Sequence, residues 1–401
     1  MKRQGPARAN SLIALAAAVT FGAAWSACAA AGASAATGAA PVTATAPADS
    51  APSVTTPASS STTSATSSST AVSTSTAPAT PVSSATVTST TVTSTPTATS
   101  PGPVKPVPVN PGAVAVTPQG LFKVNGQRLT VSGRAVRITG VVHDFAPGQR
   151  VELIASLGSQ VFQRLVLKLV RRGERGRFSA TVRAPADGRV TVRLYHRRTH
   201  QMFSFERWTS YTALTPTATP GSSGLFVALV QQRLAALHLF ITQTGVYDQG
   251  TELALDTYHR LLGEGEGDTQ LDPLTVTSLL DGKGAFHVRY PNQGQHAEGD
   301  LTDQVLAFIN GSTVYWLFPI SSGKPSTPTI LGSYQVYRKQ AGFTPDGMYF
   351  SSFFTGGYAI HGYVSVPGYP ASHGCMRIPM ADAVPAYNWM SLGDWVDTYY
   401  T

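Results

Sequence analysis

Near the C-terminus stand two short stretches whose residue types could do chemistry together. Ala359-Ile-His361-Gly362 and Ser372-His373-Gly374-Cys375-Met376-Arg377 set His361 and Cys375 fourteen positions apart, each next to a glycine. Cys375 is one of two cysteines in 401 residues. A thiolate, not a thiol, attacks a carbonyl carbon, and an ordinary cysteine with a pKa of about 8.5 is mostly protonated at neutral pH. A histidine within hydrogen-bond reach can take that proton and later deliver it to a leaving amine. Gly374 lets the backbone approach a substrate closely, and its N–H together with that of Cys375 could hold the developing oxyanion. Singly, each residue has a plainer reading: His361 as a satisfied core histidine, Cys375 as a small buried hydrophobe. Together, with glycines at the turns, they favour a cysteine nucleophile and its base. Metal chemistry fits less well. The sequence has no C-x-x-C and no H-E-x-x-H, and His196, His200, His287 and His296 fall at no ligand spacing. No metal and no cofactor is expected.

For His361 to reach Cys375 the chain must reverse after the His361 strand, and Gly362, Pro367-Gly368 and Pro370 supply the turn chemistry. The surrounding block, residues 284–401, reads as β-rich. Leu301–Asn310 and Thr313–Ile320 flank an Asn310-Gly311 turn, a strong hairpin signal. Gly332–Tyr337 and Tyr358–His361 predict further strands, and Asp394–Tyr399 is expected to close the sheet.

The S-H-G-C-x-R box with its upstream H-G resembles the catalytic domain of the L,D-transpeptidases, the YkuD type. The loop Ser322-Gly-Lys-Pro-Ser-Thr-Pro-Thr329, leading to Gly332-Ser-Tyr334, and the Tyr358–Gly362 strand belong to the same likeness, which covers essentially the whole block. It implies a mixed β-sandwich whose cysteine attacks the L-centre to D-centre amide of a tetrapeptide stem. D-alanine leaves, and the acyl group passes to the side-chain amine of a neighbouring stem. It further implies Cys375 as nucleophile, His361 as proton donor and acceptor, and the Gly362 carbonyl as the group that orients the imidazole. Ser372 and His373 would belong to the substrate pocket, and Arg377 would brace the site or meet a substrate carboxylate. Tyr349 and Tyr358 would line the groove unless they serve as strand packing.

Upstream, the composition changes several times. Lys2, Arg3 and Arg8 precede an apolar run from Leu12 to Trp25 and then small residues, the plan of a secretory signal over residues 1–35. The run is short for spanning a bilayer, which takes about 20 residues, so no membrane span is expected in the mature chain. Cys28 follows Trp25-Ser-Ala27 and could be lipidated as in a lipoprotein, or removed by cleavage near Ala33-Ser-Ala35. Either way Cys375 is left without a disulfide partner. Residues 36–118 are Ser, Thr, Ala, Pro and Val with no aromatic side chain, which predicts a disordered linker.

Residues 119–214 alternate apolar and polar, as in Val190-Thr-Val-Arg-Leu194, with turn signals at Ala146-Pro-Gly148 and Ala186-Asp-Gly188. That pattern predicts an antiparallel, Ig-like β-sandwich. Between residues 120 and 214 there are 17 Lys/Arg against 5 Asp/Glu. Such a surface could dock on an anionic wall polymer, or it could be a solvated strand face. Residues 221–282 predict helices, with Val227, Val230, Leu234 and Leu237 forming one stripe and Asp272-Pro273 starting a third helix. This segment resembles the three-helix peptidoglycan-binding domain, with Tyr258-His259 replacing the usual Phe-Gln. It is acidic, with 2 basic against 8 acidic residues, and so could pack on its basic neighbour.

The expected fold class is therefore multidomain and mainly β: a β-sandwich, a small helical domain, and a C-terminal β-rich catalytic domain. The expected function is an exported peptidoglycan L,D-transpeptidase of the cell envelope, acting on stem peptides and not on nucleic acid. Two alternatives stay open. One is an L,D-carboxypeptidase that gives the same thioester to water. The other is a wall-binding protein with an idle catalytic domain.

Overall fold

A computed structural model describes residues 105–401 except residue 266. The expected signal segment, Cys28 and the linker up to residue 104 lie outside the described residues. Ten strands form the first domain: β1 (Val114–Gln119), β2 (Phe122–Val124), β3 (Gln127–Val131), β4 (Ala135–Val142), β5 (Arg150–Leu157), β6 (Gln160–Lys168), β7 (Val170–Arg172), β8 (Arg175–Arg183), β9 (Gly188–His196) and β10 (Phe205–Leu214). They make a four-stranded sheet, β1-β4-β8-β7, and a six-stranded sheet, β2-β3-β10-β9-β5-β6. The sheets share a core that includes Ile138, Leu153, Phe178, Val192 and Leu194. Alternation dictates this: β8 reads exposed-buried along its whole length, so one face of the strand is core and the other water.

Two expectations about this domain need correction. Its first strand starts at Val114, inside the segment expected to be linker. Val-Ala-Val alternation won over the flanking prolines because β1 is an edge strand, where Pro118 leaves no interior ladder bond unmade. The pairing is also not wholly antiparallel, since β10 runs parallel to β3.

Three helices follow: α1 (Leu225–Ala236), α2 (Gln249–Leu261) and α3 (Pro273–Asp281). The Asp272 side chain accepts from the N–H groups of Leu274 and Thr275 at 2.6 and 2.9 Å, with Pro273 in the first turn. Val227, Val230, Leu234 and Leu237 are all buried. Their core is not private. It continues into Val124, Leu129 and Val131 of the first domain and into Val305, Ala307, Ile309 and Leu317 of the last. The helices are thus mortar between two β-structures, where composition alone predicts three separate blocks. Tyr258 is fully buried in this core, and His259 is fixed by Glu264 at 2.7 Å and the Gln270 carbonyl at 3.1 Å.

The last domain contains β11 (Gln295–Asp300), β12 (Val305–Asn310), β13 (Thr313–Pro319), β14 (Gly332–Gln335), β15 (Arg338–Phe343), β16 (Tyr349–Thr355), β17 (Tyr358–Tyr363), β18 (Met376–Pro379), α4 (Met380–Trp389) and β19 (Trp395–Tyr399). Its sheets, β13-β12-β11-β19-β14 and β15-β16-β17-β18, enclose a core with Phe308, Phe318, Ile360, Met376 and Val396. The final strand joins this sheet as expected, and it lies inside it, parallel to β11 and antiparallel to β14. Among the described residues no helix is long and apolar enough to cross a membrane.

Candidate active site

The site is built on the parallel pair β17 and β18. Ile360 stands opposite Met376 and His361 opposite Arg377. Partners in parallel register share a face and neighbours along a strand alternate, so Ile360 and Met376 enter the core while His361 and Arg377 point to the other side. Extending the register by one residue puts Cys375 opposite Ala359, on the His361 side. His361 is 2 % exposed, and its Nδ1–H donates to the Gly362 carbonyl at 2.9 Å. That bond fixes the tautomer and leaves the Nε2 lone pair free to accept a proton. Burial pushes the imidazole down to about 4, with the Arg377 charge acting in the same direction. Gly362 is obligatory at its place, because a Cβ there would lie 2.6 Å from Ala383 of α4.

Cys375 is a half-buried free thiol. Its Sγ lies 3.5 Å from the Gly357 carbonyl and 4.0 Å from Met348 Sδ. Burial pushes the thiol up, only partly countered by the Ala359 N–H and the Arg377 charge. The resting pair is accordingly a neutral imidazole and a protonated thiol that faces a carbonyl. No hydrogen bond joins His361 to Cys375 among the described residues; in resting active sites such bonds are often long and tighten with substrate.

The backbone around the thiol is held by residues whose roles differ from those expected. Ser372 is buried; its hydroxyl donates to the Cys375 carbonyl at 2.6 Å and accepts from the Gly374 N–H at 3.0 Å. Ser372 therefore braces the loop, beside the pocket place expected of it. The Gly374 N–H expected to bind an oxyanion is turned towards it. Gly374 is required for another reason: it has φ +117, and a Cβ would meet the Tyr358 ring at 2.2 Å. Tyr358 and Tyr349, expected at the groove or as strand packing, are half-buried and pack against the domain core. His373 is exposed at the mouth, its Nε2 3.3 Å from Lys324 Nζ. Arg377 stacks over the Tyr363 ring, 4.0 Å from its centroid.

Several supports surround the box, and only one of them was named from the sequence. The Gly323–Thr329 loop wraps the box: Thr329 donates to the Gly374 carbonyl at 2.9 Å, and Thr327 and the Lys324 N–H donate to the Ser372 carbonyl at 3.1 and 3.0 Å. The sequence marked this loop through its family likeness, but not its bonds to the box. Nothing local announced Met348, or Arg260 on α2. Arg260 is 4 % exposed and ion-paired with Asp256, and it donates to the carbonyls of Gln304 and Ile320 at 2.9 and 3.0 Å. The Gln304 side chain then makes two 2.8 Å bonds with Ser322, whose carbonyl accepts the Ser372 N–H at 2.9 Å. A buried guanidinium on the helical domain is thereby connected to the cysteine loop through three residues. Gln304 itself sits at φ +53, a left-handed conformation rare for a side chain of this size.

Residues 294–397 match the L,D-transpeptidase catalytic domain, the YkuD family. No curated protein matches the chain. Among solved structures, an L,D-transpeptidase from Xylanimonas cellulosilytica shares 31% identity over 46% of this chain and 97% of its own, with a TM-score of 0.42. The catalytic domain of the E. faecium L,D-transpeptidase shares 24% over 27% of this chain and 98% of its own, TM-score 0.25. An L,D-transpeptidase from Mycobacterium tuberculosis shares 13% over 70% of this chain and 97% of its own, TM-score 0.25.

Proposed function

We propose, from the premise that residues 294–397 belong to the L,D-transpeptidase catalytic-domain family, that the protein is an exported enzyme of the cell envelope that cross-links peptidoglycan stems through a thioester on Cys375. The observation that carries this reading is the 2.9 Å bond from His361 Nδ1 to the Gly362 carbonyl. It presents a neutral Nε2 on the thiol's side of the sheet.

When a tetrapeptide stem binds, Nε2 takes the Sγ proton as sulfur attacks the amide carbon. The thiolate forms only as the proton moves, which suits a thiol raised by burial. The imidazolium then gives that proton to the departing amine of the D-residue while the C–N bond breaks, leaving an acyl thioester. An acceptor amine attacks the thioester, His361 takes its excess proton, and Cys375 leaves and is reprotonated. With Gly374 engaged by Ser372, the oxyanion is assigned to the Cys375 N–H. Arg377, a fixed guanidinium on the same face, suits a stem carboxylate.

The helical domain is read as the peptidoglycan-binding element and the basic sheet domain as a hold on an anionic wall polymer. The experiment is a tetrapeptide digestion with and without a diamino-acid acceptor. Cross-linked product and acceptor-dependent release of D-alanine are expected. Equal release with and without acceptor, yielding free tripeptide, would identify a carboxypeptidase. No release in either case would leave only wall binding.

A further inference from the structure

The outer face of the β1-β4-β8-β7 sheet carries Arg137, Arg172, Arg175, Arg177 and Arg183, all exposed, and not one Asp or Glu on the strands' outward positions. Among the described residues none of these five arginines takes part in an ion pair. The contrast lies across the same domain. On the six-stranded sheet Glu152 pairs with Arg164 and Glu206 with Arg193, so charge there is partly neutralised in place. The remaining outward side chains of the arginine face include the hydroxyls Thr117, Thr139, Ser179 and Thr181. Ser179 Oγ accepts from Arg137 Nε at 2.9 Å and steadies that guanidinium across β4 and β8. Arg137, Arg172 and Arg177 open onto one groove of about 360 Å³ that Val141, Val170 and the edge of the inward-facing Phe178 also line.

Five like charges on one rigid surface repel one another, and a fold gains nothing from gathering them without counter-charges. They are all arginine, with no lysine among them, although Lys123 and Lys168 occur elsewhere in the domain. Arginine's planar fork matches the paired oxygens of a phosphate better than an ammonium does. Along β8 alternate residues face outward about 7 Å apart, so Arg175, Arg177 and Arg183 form a fixed row of cationic forks rather than a mobile tail.

We infer that this sheet face is a binding site for a linear phosphodiester polyanion that lacks nucleobases, such as a poly(polyol phosphate) chain. Absence of bases follows from the face itself. Binding of single-stranded nucleic acid uses aromatic platforms for stacking; no outward position on these strands is aromatic, and the one ring at the groove, Phe178, is turned into the core and 5 % exposed. The exposed Trp208 belongs to the other sheet. The site would tether the enzyme along a wall-associated chain, and only that last step rests on the envelope reading above.

The test is binding of synthetic poly(glycerol phosphate) to the full chain across a salt series, with single-stranded DNA as a parallel probe. One variant is Arg137→Gln/Arg172→Gln/Arg177→Gln. A control of equal charge change on and beside the other sheet is Arg150→Gln/Lys168→Gln/Arg197→Gln. Wild type should bind the polymer, and the face variant should lose about tenfold or more at 0.1 M salt. The slope of log affinity against log salt should fall by about 2, from roughly 0.7 per lost phosphate contact. The control should change less than about twofold. No binding by wild type, equal losses in both variants, or tighter binding of DNA would overturn the inference. Acylation of Cys375 is read on the same samples. Acylation without polymer binding refutes the face and spares the catalytic reading, and the reverse outcome does the opposite.

Discussion

The helical domain touches both of its β neighbours through arginine, and the two contacts are made of different physics. Towards the first domain, Arg134 reaches Asp281 at 2.8 Å with both side chains partly in water, and Gln232 donates to the Lys123 carbonyl at 3.0 Å. Towards the catalytic domain, Arg260 is buried with Asp256, and its Nη1 donates to two carbonyls across the boundary. Water screens the first pair, which is worth ~0–1 kcal/mol. Removing one partner of the second strands a buried charge, at ~3–5 kcal/mol. One contact joins neighbours; the other ends in the loop that carries Cys375.

The sharpest way to break this contrast is Arg260→Ala. It should lower unfolding stability by about 3–5 kcal/mol in denaturant titration and slow Cys375 acylation. Arg260→Lys should recover part of the rate, because one charge-assisted bond to a carbonyl can be remade. If Arg260→Ala keeps wild-type acylation once folded, the connection through Gln304 and Ser322 is ornamental. Gly374→Ala comes next. It places a methyl against the Tyr358 ring at a backbone angle only glycine adopts easily, and ~2–3 kcal/mol of stability should go with it. Ser372→Ala removes both brace bonds at the far end of the same route. It should cost ~1–3 kcal/mol and reduce acylation more than Tm.

That His361 and Cys375 belong together could be read from the sequence because the signals are local: short boxes, glycines at turns, a strand leading in. So were the Asn310-Gly311 hairpin and the Asp272-Pro273 helix start, where one dipeptide suffices. What escaped depends on distance or on masking. α4 carries Pro385 in its interior and has no side-chain cap, so the usual helix signals are missing. The interior place of β19 follows from pairing with β11, which no periodicity encodes. Arg260 meets residues 44 and 60 positions away. The backbone bonds of Ser372 escaped because a hydroxyl carries the same letter whatever it faces.

Acidity sharpens the comparison more gently. His361 folded titrates near 4 and unfolded near 6.5. The unfolded chain therefore binds more protons between those values, and stability falls as pH drops from about 6.5 through 4. The acylation rate should stay level down to about pH 5 and decline below it as Nε2 is protonated. His361→Gln should be slow at every pH, by about 10²–10⁴. An acid limb centred near 6.5 in the wild type would show that the imidazole is not buried in the working enzyme. Smallest of all is Arg134→Ala, expected to shift stability by no more than ~1 kcal/mol and acylation not at all. A loss as large as that of Arg260→Ala would erase the distinction between the two contacts.

The thioester itself can be weighed. The folded protein is incubated with a tetrapeptide stem or a carbapenem and its intact mass recorded, followed by peptide mapping. The account predicts one added acyl group, on Cys375, absent from Cys375→Ala and much delayed in His361→Gln. An unmodified wild-type mass, or an adduct that persists in Cys375→Ala, would contradict it.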